Sequence, residues 1–107
     1  MRAGTKPALR PESVDILGKA FRVEHIVGGA LDDDDMGDCN YDTQVISIDA
    51  EVPLGNAQDT LLHECIHALD HQVKIKLRED QVVKLATVLL TWMKSNPKTV
   101  RYLMRKS

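Results

Sequence analysis

Aromatic residues and cysteines are scarce in this 107-residue chain: one Phe, one Trp, two Tyr and two Cys. Two thiols, Cys39 in a polar stretch and Cys65 inside an apolar helical run, are too few for a disulfide scaffold. No apolar run approaches the ~20 residues that cross a bilayer, so no membrane partner is expected. The opening Met1-Arg2-Ala3-Gly4-Thr5-Lys6 lacks the apolar stretch of a secretory signal. Together these absences lead to the expectation of a cytoplasmic protein with reduced thiols. A large excess of positive charge is missing too. The formal net charge is −2, which argues against a nucleic-acid partner held by phosphate neutralisation.

Charge is nevertheless uneven. Arg2, Lys6 and Arg10 lie near the start, Arg101, Arg105 and Lys106 near the end, and Asp32 to Asp35 form an acidic run between them; solvated ends account for this pattern. The length suits one domain and one core, and 43% hydrophobic with 28% charged residues is ordinary for a soluble globular chain. Residues 1 to 11, with Pro7 and Pro11 and no periodicity, read as a flexible arm, leaving residues 12–107 as the domain.

Hydrophobic periodicity supplies the elements. Val14-Asp15-Ile16-Leu17 reads as a short strand and Gly18-Lys19 as a turn. Phe21, Val23, His25 and Val27 then alternate with Arg22, Glu24 and Ile26, so the pair reads as a hairpin. Residues 28 to 43, with four consecutive aspartates, Gly37, Asp38 and Asn40, read as a loop. The run lacks the alternating ligands of a calcium loop. Gln44 to Asp49 alternates again, a third strand, ended by Pro53 and Gly55.

After that the period changes to that of a helix. Asn56 suits a helix N-cap and Asp59 the first-turn amides. Leu61, Leu62, Cys65, Ile66, Leu69 and Val73 make one apolar stripe. A second helix is expected from about Glu79 to Lys94, burying Val82, Leu85, Ala86, Leu89 and Met93. Asn96-Pro97 stops it and starts a third helix with Val100, Leu103 and Met104 on its apolar side. Three strands followed by two or three helices is an α+β arrangement, with the sheet expected to be antiparallel.

The first of these helices carries His63-Glu64-Cys65-Ile66-His67, an H-E-x-x-H sequence. Residues four apart lie one turn apart on one face, so two imidazoles can converge on one ion. Glu64 flanks that ion, placed to take a proton from a metal-bound water. The plain alternative is an exposed helix face with two histidines, but the helical register, the N-cap before it and a strand directly upstream favour a metal site on the polar face of Thr60, His63, Glu64, His67, Asp70 and His71.

A catalytic zinc ion takes a third protein ligand and keeps an open fourth position. Asp70 and His71 continue the same face, but a straight helix does not easily wrap three ligands around one ion; a hydrogen bond to an imidazole, or solvation, suits them better. Glu79 opens the next helix after a short turn and is the preferred third ligand, with Asp80 the runner-up. An acidic residue in a helix's first turn also has a purely structural rationale in the macrodipole.

Thr60-Leu61-Leu62-His63-Glu64-Cys65-Ile66-His67-Ala68 resembles the active helix of the small zincin-like metallopeptidases found in phages and prophages, relatives of minimal gluzincins. The similarity extends to the stretch from Val14 to Val27, to Val45-Ile46-Ser47-Ile48-Asp49, to Glu79-Asp80-Gln81-Val82-Val83-Lys84-Leu85-Ala86 and to Asn96-Pro97. The resemblance implies a zinc cofactor (Zn2+), a peptide or protein substrate, a bacterial host cell, and Glu79, seven residues before Ala86, as the third ligand. One gluzincin branch places an aspartate four residues after that glutamate; here Val83 stands there. The resemblance also implies an edge strand beside the active helix, for which Gln44 to Asp49 is the candidate by chain order. It further implies a transition-state stabiliser, for which Tyr41, His71 and Tyr102 are candidates. From the residues alone, His25 reads as a hydrogen-bonded core-edge histidine and Trp92 as core. The leading functional expectation is zinc-dependent peptide-bond hydrolysis. The alternatives are a non-catalytic zinc-binding domain and a phage-encoded interaction module.

Overall fold

The computed structural model describes residues 10–27 and 36–106. The aspartate run and most of the N-terminal arm lie outside the described residues. Four strands, β1 (Ser13–Ile16), β2 (Lys19–Ile26), β3 (Gly37–Asn40) and β4 (Val45–Asp49), precede three helices, α1 (Leu54–Val73), α2 (Glu79–Ser95) and α3 (Pro97–Met104). The order in the sheet is β1-β2-β4-β3. The α+β class read from the sequence is therefore present, with two differences in the sheet.

The first difference is β3, which falls inside the stretch read as loop. Gly, Asp and Asn, three of its four residues, are poor strand formers, so little local signal marks it; it exists because it pairs antiparallel with β4, Cys39 opposite Ile46. The second is that β4 pairs with β2 in parallel, Val23 opposite Ile46, so the sheet is mixed rather than antiparallel. As a result β4 lies inside the sheet, and the edge strand beside α1 is β3.

The hairpin forms as expected, shifted by one residue: Ile16 pairs Lys19, so Leu17 and Gly18 make the turn. Both have positive φ, 52° and 94°, the backbone of a two-residue turn that matches strand twist. Asp15 Oδ1 accepts a hydrogen bond from Gly18 N at 2.9 Å. His25 Nε2 lies 3.1 Å from Pro11 O, satisfied as the sequence suggested, whereas Val27 is exposed.

One sheet face is apolar. Ile16, Phe21, Val23, Ile46 and Ile48 are buried there and meet Ala68, with Ala57, Leu61, Cys65 and Leu69 of α1 packed alongside. A second cluster joins Ile66 and Leu62 of α1 to Val82 and Ala86 of α2, with Leu77. The stripe read on α1 is thus divided between two neighbours: one side meets the sheet, the other meets α2. Val73, at its end, is exposed.

The helix ends depart from expectation in detail. α1 starts at Leu54, two residues before Asn56, with Pro53 in extended conformation at the cap and no side-chain cap bond. Asp59 instead accepts a hydrogen bond from Thr87 Oγ1 at 3.1 Å, tying α1 to α2. Asn96 does stand before Pro97, but its Nδ2 donates to Trp92 O at 2.8 Å. On α2 only Val82 and Ala86 are buried; Leu85, Leu89 and Trp92 are exposed. They were read as core because helical spacing shows that a face is apolar but not that anything covers it.

Candidate metal centre

α1 and α2 bring three ligand groups together. His63 and His67 are one turn apart on α1, and Glu79 is the first residue of α2. His67 Nε2 lies 3.1 Å from His63 Nε2 and 2.7 Å from Glu79 Oε1, while His63 Nε2 lies 3.4 Å from Glu79 Oε2. A tetrahedral ion with ligands at about 2.0–2.1 Å needs ligand atoms about 3.3 Å apart. The His63–His67 separation and that from His63 to Glu79 Oε2 are close to that value, the shorter His67 contact is to the other carboxylate oxygen, Oε1, and the cluster could hold a metal ion. The donor set, two imidazoles and one carboxylate, is that of a catalytic zinc site. The Glu79 side chain is 67% exposed, against 18% and 27% for His63 and His67, so the cluster lies at the surface.

The connector between the helices is built to deliver Glu79. α1 ends at Lys74 in the left-handed region, its N–H bonded to Asp70 O. Lys76 also has positive φ, 68°. The Asp70 carboxylate accepts from Lys76 N at 2.8 Å and Leu77 N at 2.9 Å. These charge-assisted bonds fold residues 74–78 into a tight reversal. Arg78 N then donates to Gln81 Oε1 at 2.9 Å, which fixes the first turn of α2. The three residues weighed against Glu79 are thus engaged elsewhere: Asp70 shapes the connector, His71 stacks on Tyr41, and Asp80 pairs with Arg78 at 3.0 Å.

Glu64 lies on the side of α1 that faces the sheet. It is 7% exposed, and Thr60, one turn earlier, 8%. The polar face read from the sequence is therefore partly covered, and β3 covers it. An alanine Cβ at Gly37 would stand 2.5 Å from Thr60 Cγ2 and 3.4 Å from Glu64 Cγ. Glycine lets the strand approach the helix this closely.

The Glu64 carboxylate acts on its surroundings. Burial first, then its negative charge, pushes the Cys39 thiol up to about 12 and the Cys65 thiol up to about 11. Tyr41 is raised as well, by burial first, with Cys39 and Glu64 next. Both cysteines are free, and a raised thiol is a poor nucleophile at neutral pH. The Tyr41 ring stacks on His71, centroids 4.0 Å apart and planes within 5°. Of the three stabiliser candidates, Tyr41 and His71 are joined beside α1, while Tyr102 is 68% exposed on α3.

Two features escaped the sequence reading: β3 as the strand against Glu64, and Asp70 as the connector's clamp. For β3 little signal was available. For Asp70 the signal was its place just before a charged, glycine-free reversal that must leave the α-helical region. Comparison with protein-family models, curated proteins and solved structures found no match.

Proposed function

We propose that this chain is a zinc-dependent peptidase, with His63, His67 and Glu79 as ligands and Glu64 as general base and acid. The observation that carries the reading is the convergence of a two-His, one-Glu donor set on one open point, beside a buried glutamate that is not part of the set. A site that serves only for stability closes its fourth position with a protein ligand; among the described residues this cluster offers three. A bound zinc would polarise the scissile carbonyl and lower the pKa of its water toward ~7.

The protein's own groups do the rest. Glu64, held against β3, accepts a proton from the water and returns it to the leaving amine. Its burial keeps the carboxylate in a low-dielectric setting, where proton transfer is not short-circuited by bulk water. The outer edge of β3 can take an extended peptide as an added strand, which would lay its backbone alongside Glu64. That role, assigned by chain order to Gln44–Asp49, passes to Gly37–Asn40 because β4 is internal. The Tyr41–His71 stack supplies the donors suited to a developing oxyanion.

A peptide-library cleavage assay with added zinc tests the reading. Cleavage should be lost with a chelator and in Glu64→Gln, which keeps the ligands but cannot accept the proton. Activity in Glu64→Gln would overturn the mechanism, and zinc-loaded protein inactive on every peptide would leave it a metal-binding domain.

A further inference from the structure

The metal-site reading leaves one region unused. Residues 81–107 contain six Lys or Arg and no Asp or Glu, in a chain whose net charge is −2. The first 80 residues are therefore acidic by eight, and the two signs are segregated along the chain. The same basic segment holds most of the exposed apolar side chains. On α2, Leu85, Val88, Leu89 and Trp92 recur at i, i+3, i+4 and i+7, one helical stripe, with exposures of 39%, 64%, 41% and 42%. On α3, Leu103 and Met104 are 64% and 75% exposed. Helical geometry puts them with Val100 on one side and Lys98 on the other, with Arg101 at the flank. Lys98, Arg101 and Arg105 line one shallow open depression with Tyr102 and Met104.

We propose that this α2–α3 ridge is a docking surface for an anionic lipid bilayer, with α3 lying in the headgroup plane. Three features select that occupant. From Gln81 onward the charge is of one sign, which complements acidic headgroups and is worth about fivefold in binding per basic residue near the surface. Apolar and aromatic side chains stand beside the basic ones, the composition of helices that lie in a membrane interface. A second copy of the chain is disfavoured, because a two-fold contact through α3 would set Lys98, Arg101 and Arg105 against their own counterparts. No helix among the described residues is long and apolar enough to cross a membrane, so the association is peripheral and reversible.

Trp92 is the chain's one tryptophan, so its fluorescence reports on the ridge directly. The experiment titrates the full-length protein with vesicles of phosphatidylcholine alone and of phosphatidylcholine with phosphatidylglycerol. It follows Trp92 emission and co-sedimentation. Binding and a blue shift are expected only with the anionic vesicles, and both should weaken steeply with salt. Arg101→Gln with Arg105→Gln should weaken binding about 25-fold. Leu103→Ser with Met104→Ser should abolish the blue shift. All four positions are exposed, so the fold, checked by circular dichroism, should survive.

Equal binding to both vesicle types, or no binding to the anionic ones, would overturn the proposal. So would a dimer that the Leu103/Met104 variant dissolves, which would assign the ridge to self-association. Competition by polyglutamate that leaves no vesicle-specific blue shift would assign it to an acidic chain instead. None of these readouts depends on zinc or on peptide cleavage.

Discussion

Replacing Gly37 with alanine probes how tightly the edge strand is set against the candidate catalytic helix. The new Cβ would stand 2.5 Å from Thr60 Cγ2, 3.1 Å from Ser47 O and 3.4 Å from Glu64 Cγ. Carbons in van der Waals contact sit about 3.5–4.0 Å apart, so the first approach is short by about 1 Å. The neighbours have little room to yield. Ser47 O is backbone in β4, held between two strands. Thr60 is buried and β-branched, with few rotamers open to it. Relief must come from β3 moving off α1. Overpacking of this kind costs about 1–3 kcal/mol, and a clash shared by a stiff methyl and a backbone oxygen belongs in the upper half, about 2–3 kcal/mol. For a domain of this length 1 kcal/mol moves Tm by roughly 4–5 °C, so the variant should melt about 8–15 °C below the parent. Gly37 is not among the positive-φ glycines, so backbone strain does not confuse the result. Thr60→Ser removes the offending methyl, and in the Gly37→Ala background it should restore most of the loss. Thermal unfolding of the four proteins in a double-mutant cycle gives the coupling, expected to be at least about 1 kcal/mol. A Gly37→Ala protein that melts with the parent, or a loss that Thr60→Ser leaves untouched, would refute the packing argument.

Glu79→Ala should weaken zinc binding at least about tenfold, as loss of one of three ligands implies, whereas Asp80→Ala should leave it nearly unchanged; competition with a chromogenic chelator measures both. Asp70→Ala should weaken it to an intermediate degree by releasing the connector amides at Lys76 and Leu77, and a deficit larger than that of Glu79→Ala would place the ligand on α1 instead. The raised thiols set a pH dependence. In the unfolded chain Cys39 and Cys65 ionise near their ordinary value of 9.0, but in the fold at about 12 and about 11. The stability they contribute is therefore present below pH 9 and lost as the pH rises toward about 12. Denaturant midpoints between pH 8 and 11 should accordingly fall more in the parent than in a Cys39→Ala, Cys65→Ala variant, and parallel curves would count against this assignment.

The helices and the metal ligands were legible because their determinants are local. His63, Glu64 and His67 lie within one turn and a half of helix, and their spacing alone fixes a shared face. The period-two runs around Phe21–Val23 and Ile46–Ile48 likewise state which side chains go inward. Glu79 depended on one further step, that a short connector folds α2 back, and the structure puts its carboxylate beside both imidazoles. What could not be read was decided by tertiary pairing. Gly37–Asn40 has little strand propensity of its own and becomes a strand only on β4. The parallel alignment of β2 with β4, Arg22 opposite Val45, depends on the path of the intervening chain. Leu85, Leu89 and Trp92 have the spacing of a buried face without a partner among the described residues to bury them. Thr60 and Glu64 show the converse: spacing puts them on the polar face of the helix, and they are covered because a glycine strand comes close.

The central claim is that His63, His67 and Glu79 hold one zinc ion. It is tested most directly by elemental analysis of the dialysed protein beside its His67→Ala variant. About one zinc per chain is expected in the parent, since two imidazoles and a carboxylate make a complete protein donor set for a catalytic ion, and essentially none in the variant. A parent that emerges free of zinc after purification with zinc present, or a variant that retains a full equivalent, would contradict it.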